Sequence, residues 1–145
     1  MQIICPYCKE QADYSIAEGW NAYLCSACKK PFDILRAKVR TKKSLSYKCG
    51  YKRHVSVAIQ YRNFEDLIEY DCNYRDDVSM RAGDSIALCF RDEQQVYIVQ
   101  NLTHDAHAVV KDDEHDRVII AIITSIFLLS ALALVVIKNI VPPVY

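Results

Sequence analysis

Alternation of apolar and polar side chains dominates the middle of the chain and predicts β-strands. A period of two residues is typical of a strand with one buried face. Five closely spaced segments carry strand-like sequence: 38–46, 54–62, 64–70, 85–90 and 96–102. Short strands at this spacing favour an antiparallel sheet that removes its open edges by closing. We therefore predict a mainly β fold, with a small antiparallel β-barrel of the SH3 or OB type over residues 36–103.

Residues 118–137 form an uninterrupted apolar run of 20 residues, whose only polar side chains belong to one threonine and two serines. A helix of that length, rising 1.5 Å per residue, spans about 30 Å, the thickness of the hydrocarbon core of a bilayer. Arg117 and Lys138 bracket the run as interfacial anchors. A chain of 145 residues could hardly bury such a helix on all sides. We therefore predict one C-terminal transmembrane helix.

The orientation of this helix follows from the rest of the chain. Residues 1–4 are followed at once by Cys5 and polar residues, which is unlike a secretory signal peptide. The N-terminal thiols need a reducing compartment. We expect a single-pass membrane protein with a cytoplasmic N-terminal domain and the tail 138–145 on the opposite side, the layout of a tail-anchored protein.

The charge of the chain is divided along the sequence. Residues 1–62 carry 12 Lys or Arg and 4 Asp or Glu, a net charge of +8, whereas residues 63–117 carry 5 and 14, a net charge of −9. The formal net charge of the whole chain is +0. Such asymmetry indicates either an electrostatic surface for a partner or pairing between the two halves.

The strongest chemical motif is a pair of C-x-x-C turns, Cys5 to Cys8 and Cys25 to Cys28, separated by 16 residues. Each turn directs two sulfur atoms to one point, and two such turns complete a tetrahedral site of four thiolates. The protein fills all four coordination positions, so no position is left for water or substrate. Such a metal ion is structural and not catalytic.

Residues 3–35 resemble the zinc-ribbon family in carrying both cysteine turns and a Pro-Phe pair after the second. The resemblance implies one structural zinc ion and a ribbon over residues 1–35. The sequence departs from the commonest pattern at Lys9 and Lys29, where a glycine often follows the second cysteine of each turn. Zinc ribbons serve many unrelated functions, so the resemblance assigns no activity.

Two other uses of the four cysteines remain open. An iron site like that of rubredoxin has the same ligands, and tetrahedral sulfur coordination admits either metal. Rubredoxin-like sequences usually place the two pairs much further apart and put glycine after the turns, which favours zinc here. The third interpretation is redox-active or metal-free thiols.

Three further cysteines and three histidines are candidates for chemistry. Cys89 lies in a predicted strand and is expected to pack as a small apolar side chain. A disulfide between Cys49 and Cys72 is not expected in a reducing compartment. The histidines stand among acidic residues without repeated ligand spacing, so we predict a solvated acidic juxtamembrane linker over 104–117 and no second metal site there: His104, His107 and His115.

The segment 36–53 holds eight basic residues and no acidic one, with Tyr47 and Tyr51 interleaved. This pattern is compatible with four interpretations. The lysines and arginines are solvated, or they contact an acidic protein surface, anionic lipid headgroups or nucleic acid.

The chain carries no phosphate-binding glycine loop, no nucleophile elbow and no HExxH motif. We therefore predict no enzymatic activity, no catalytic residues and no small-molecule substrate. The expected function is that of a membrane-anchored accessory or assembly subunit, with the ribbon and barrel as a cytoplasmic contact platform for subunits of a membrane protein complex. The alternatives are a membrane-tethered nucleic-acid-binding module and a rubredoxin-like electron carrier.

Overall fold

An antiparallel β-sheet built around one long strand organises the fold. The computed structural model of the protein describes residues 1–47, 51–91, 95–110, 124–126 and 130. Within these residues a 3-10 helix, Tyr74–Asp76, follows β6. The strands are β1 (Gln2–Ile4), β2 (Gln11–Asp13), β3 (Gly19–Leu24), β4 (Pro31–Ser46), β5 (Lys52–Tyr61), β6 (Phe64–Asn73), β7 (Ser85–Phe90), β8 (Val96–Asn101) and β9 (Ala106–Val109).

The 16-residue strand β4 pairs with neighbouring strands along both of its edges. The sheet order is β6-β5-β4-β7-β8-β9, and β3 pairs with the first part of β4 along the edge that β5 uses further on. An irregularity between Val39 and Thr41 interrupts the pairing of β4 with β5. Such bulges bend a strand and increase its twist, which lets the two halves of the sheet pack around one core.

Both faces of β7 are buried, as are both faces of β4 around residues 34 and 35. Leu35, Ile86 and Leu88 point into one core, to which β5, β6 and the connection before β7 also contribute side chains. Ile34 and Cys89 point to the opposite face and pack with residues of the N-terminal segment. This double burial explains why Ser85–Phe90 is almost continuously apolar, as is usual for a strand covered on both sides.

The N-terminal ribbon covers the second face of the sheet. Its core contains Ile3, Ile4 and Phe32 together with Ala87 and Ile98 of the main sheet. Strand β4 runs without a break through position 35, where the sequence predicts the ribbon to end. The ribbon and the main sheet therefore share a strand and a hydrophobic core, and Met1–Lys111 forms one compact unit.

The mainly β, antiparallel class is confirmed, but the predicted closed barrel is not observed. Among the described residues, β6 and β9 lie at opposite ends of the sheet and do not pair with each other. The predicted acidic linker 104–117 begins with β9, which pairs with β8 and places Ala108 in the core. Val78 and Met80, between β6 and β7, complete this core with their side chains.

The predicted transmembrane helix lies outside the described residues, except that Thr124–Ile126 and Ser130 are helical. In the described part of the chain, no helix has both the length and the apolar character needed to cross a bilayer.

Candidate metal centre

Two turns of the same backbone geometry carry the four cysteines, one between β1 and β2 and the other between β3 and β4. In the first turn the Cys5 N–H donates to the Glu10 carbonyl at 2.9 Å, and the Lys9 N–H donates to the Cys5 carbonyl at 3.0 Å. The second turn repeats both hydrogen bonds at 3.0 Å, with every residue twenty positions later. The two halves of the site are thus local structures that each form from a six-residue sequence.

The sulfur atoms of Cys5, Cys8, Cys25 and Cys28 all lie within 4.8 Å of one another. The Cys5 and Cys28 sulfurs are 3.8 Å apart, and those of Cys8 and Cys25 are 3.6 Å apart. Four sulfurs placed tetrahedrally around zinc, at a bond length of about 2.3 Å, lie about 3.8 Å apart. The predicted ligands therefore meet at a spacing that fits one tetrahedral metal ion. It is the one such cluster of His, Cys, Asp or Glu within the described ranges.

The thiols of the cluster differ in acidity when no cation is bound. Burial raises the pKa of Cys5 to about 12 and also raises the pKa of Cys8. Burial acts in the same direction at Cys25, but hydrogen bonds from the backbone N–H groups of Cys28 and Ala27 outweigh it and lower the pKa of Cys25 to about 6. A bound divalent cation favours the thiolate form of every ligand, so metal binding releases protons here.

Lys9 and Lys29 adopt left-handed backbone conformations, with φ of 61° and 58°. These are the two positions at which zinc ribbons often carry glycine. A left-handed conformation costs a residue with a Cβ roughly 1 kcal/mol, a cost that glycine does not have. The departure from the family pattern thus leaves the ligands in place but strains both turns.

We expect Lys29→Gly to stabilise the protein by about 0.5–1 kcal/mol, because the new residue adopts the observed φ without steric cost. Lys29→Val should destabilise it, since a β-branched side chain tolerates this conformation poorly. Denaturant unfolding of both variants in the metal-bound state measures the difference. Equal stability of the two variants would contradict the geometry of the turn.

Arg91, at the end of β7, fastens the first cysteine turn to the main sheet. Its Nε donates to the Pro6 carbonyl at 2.7 Å, and the Tyr7 hydroxyl donates to the Arg91 carbonyl at 3.2 Å. The guanidinium also lies 5.1 Å from the ring centroid of Tyr7 and 4.3 Å from that of Tyr97. The role of Arg91 in holding this turn could not be predicted from the sequence, because no spacing rule relates Arg91 to a turn 85 residues away.

Polar side chains of the main sheet hold the rest of the ribbon. The buried amide of Gln100 accepts a hydrogen bond from the Ile4 N–H at 3.0 Å and donates one to the Gln2 carbonyl at 3.4 Å. Arg36 donates to the Ile16 carbonyl at 2.7 Å. These hydrogen bonds fasten the segment before Cys5 to β8 and the segment before β3 to β4, so we expect a disturbance of the cysteine cluster to reach the main sheet.

Several ion pairs join the basic first half of the chain to its acidic middle. Arg40 pairs with Glu65 at 3.1 Å. The Asp77 carboxylate is 6% exposed and binds both Lys42 and Arg53, the latter at 2.7 Å. Part of the charge separation seen in the sequence is thus neutralised inside the fold.

The remaining candidate residues do not join the metal centre. Cys72 and Cys89 are buried, and burial raises their pKa values to about 11 and about 12, which makes both thiols unreactive. The His104 Nε2 lies 3.4 Å from an oxygen of Asp84. Cys49 and His115 lie outside the described residues.

No protein-family model, curated protein or solved structure matches the chain. The likeness to zinc ribbons rests on the spacing of the four cysteines and on the repeated geometry of the two turns that carry them.

Proposed function

We propose that the protein is a membrane-anchored accessory or assembly subunit, in which a structural zinc ion and the shared sheet form a rigid contact platform for subunits of a membrane protein complex. The convergence of four cysteine sulfurs on one point carries the proposal, because a site with four protein ligands has no open position for catalysis.

The rigidity of the platform follows from how the ribbon is fastened. Loss of the ribbon would expose Ile34, Cys89 and Ile98, which lie in the core that it shares with the sheet. Zinc bound to all four thiolates would therefore stabilise the sheet as well as the ribbon. A stable surface made of extended strands suits a docking subunit, because binding then costs little free energy for ordering that surface.

The membrane anchor is supported by the apolar run 118–137. On this proposal the full chain stays in membranes washed with alkaline carbonate, whereas a chain ending at residue 116 moves to the soluble fraction. Release of the full chain by carbonate would contradict the anchor, whatever the role of the platform.

Affinity purification from membranes in mild detergent, through a tag on Met1, tests the platform. We expect a fixed set of membrane proteins to co-purify in near-stoichiometric amounts with the wild-type chain and with the Lys29→Gly variant. With the Cys25→Ser variant, the amount of these co-purified proteins should fall at least about ten-fold, although the variant's own span keeps it in the membrane. If Cys25→Ser retains the set undiminished, the ribbon and sheet do not make the contact.

A further inference from the structure

The far end of the β4–β5 hairpin exposes large apolar side chains in a group. Leu45, Tyr47, Tyr51 and Tyr74, here called the tyrosine tip, are 68%, 48%, 85% and 57% exposed. The Tyr47 N–H donates to the Lys52 carbonyl at 3.1 Å, and the Tyr74 N–H donates to the Tyr51 carbonyl at 3.0 Å. Ordered backbone therefore presents these side chains, although residues 48–50 between them are not described.

The charges around the tyrosine tip are mainly positive once internal pairs are taken into account. Lys43 and Lys52 are exposed next to it. Of the nearby carboxylates, Asp71 accepts a hydrogen bond from Tyr47 at 3.1 Å and contacts His54 at 2.9 Å, and Asp76 accepts one from Asn73 at 3.0 Å. Asp77 is held by its two cationic partners. The surface that results combines apolar side chains with two exposed lysines.

A short stretch of chain connects this end of the fold, through β9, to the apolar run. The 3-10 helix that carries Tyr74 contacts β9, the last described strand before the apolar run. Eight residues, 110–117, separate the end of that strand at Val109 from the run, and eight residues span at most about 28 Å.

We propose that the tyrosine tip is a second membrane-contact surface, which places its aromatic and aliphatic side chains among the headgroups of an anionic bilayer while Lys43 and Lys52 contact the lipid phosphates. The inference deepens the proposed anchoring, on which it rests for the approach of the tip to the membrane. Tyrosine is favoured at the level of the headgroups, and lysines near an anionic surface add attraction.

Several contacts favour lipid over nucleic acid as the occupant. Stacking of bases needs free ring faces, but the guanidinium of Arg53 lies 3.9 Å from the ring centroid of Tyr74. Lys42 and Arg53 are bound to Asp77 and therefore do not offer their charge to a phosphate backbone. Leu45 has no part in base stacking, whereas an aliphatic side chain suits the interfacial region of a bilayer.

Co-sedimentation with vesicles of phosphatidylcholine containing about a third phosphatidylserine tests the proposal without the span. The fragment 1–110 contains every described residue of the two hydrophobic cores and serves as the probe. It should bind these vesicles and lose affinity as salt is added. The double variant Leu45→Ser with Tyr51→Ser should bind about ten-fold more weakly, and Lys52→Gln about five-fold more weakly.

Phe64→Ser with Leu67→Ser is the matched control, because these side chains are 63% and 57% exposed at the opposite end of β6. This control should bind as the wild type does. Equal loss in both double variants, or no binding by the wild type, would overturn the proposal. The proposal would also be overturned if a single-stranded RNA oligomer bound the fragment through the same tip residues and displaced it from vesicles.

A fragment that ends at residue 117 adds the acidic segment 112–116 and should bind the same vesicles. If only the shorter fragment binds, that segment of the chain covers the tip and the proposal is wrong. These outcomes are independent of the proposed platform, since purification of the complex uses the full chain with its own span.

Discussion

Replacing Cys25 with serine should unfold the ribbon and weaken the main sheet, which is the largest effect expected from any single substitution in the described residues. A structural zinc ion contributes on the order of 10–16 kcal/mol to folding at neutral pH, and a domain's whole stability is about 5–15 kcal/mol. Loss of one thiolate weakens binding and leaves Cys5, Cys8 and Cys28 crowded together. Because the ribbon shares its core with β7 and β8, hydrogen exchange should speed up in both.

Cys72→Ser is the matched control for this result. It makes the same chemical change at another buried cysteine, which lies in the core of the sheet and not in the metal cluster. We expect it to retain the metal and to change hydrogen exchange only modestly. Faster exchange confined to the ribbon in Cys25→Ser would show that the two parts are not coupled through Ile34 and Cys89.

Asp77→Ala should destabilise the protein by about 3 kcal/mol. The carboxylate accepts hydrogen bonds from Lys42, Arg53 and Ser44, and its removal leaves two partly buried cations without a counter-charge. Denaturant unfolding measures the loss. Asp76→Ala is the control next in sequence, because Asp76 is half-buried and its oxygen accepts one hydrogen bond, at 3.0 Å, from the neutral side chain of Asn73. Similar losses in the two variants would contradict this assignment.

The same ion pair should make stability depend on pH. Burial by itself raises the pKa of Asp77, but the hydrogen bonds from Lys42, Arg53 and Ser44 outweigh it and hold the pKa below its ordinary value. Its contribution is therefore complete above the unfolded-state pKa, about 3.9, and is lost as the pH falls through the lower folded-state value. Asp77→Ala should lack this component of the acid transition.

Local patterns in the sequence predicted much of the fold. The segment 85–90 matches β7, and 96–102 matches β8 to within one residue, because both are short, largely apolar segments of strand length. The four cysteines were found as candidate ligands because the chemistry of each turn depends only on neighbouring residues. The structure brings all four together.

Features that depend on distant contacts were not predictable in the same way. In β4, Phe32 and Ile34 lie in one core whereas Leu35 and Ala37 lie in the other, so the sequence there lacks a clear period of two. Strand β9 is four residues long and is followed by an acidic segment, which hides its apolar positions. The open sheet and the role of Arg91 depend on tertiary packing that no local pattern encodes.

X-ray absorption at the metal edge, together with metal analysis of the purified full chain, tests the zinc centre most directly. We expect one zinc ion per chain, bound by four sulfur atoms at about 2.3 Å, and a colourless protein. Iron with the same four ligands, visible as a coloured protein, would support an electron carrier instead. A chain purified anaerobically without any metal, or zinc with fewer than four sulfur ligands, would contradict the structural centre on which the platform depends.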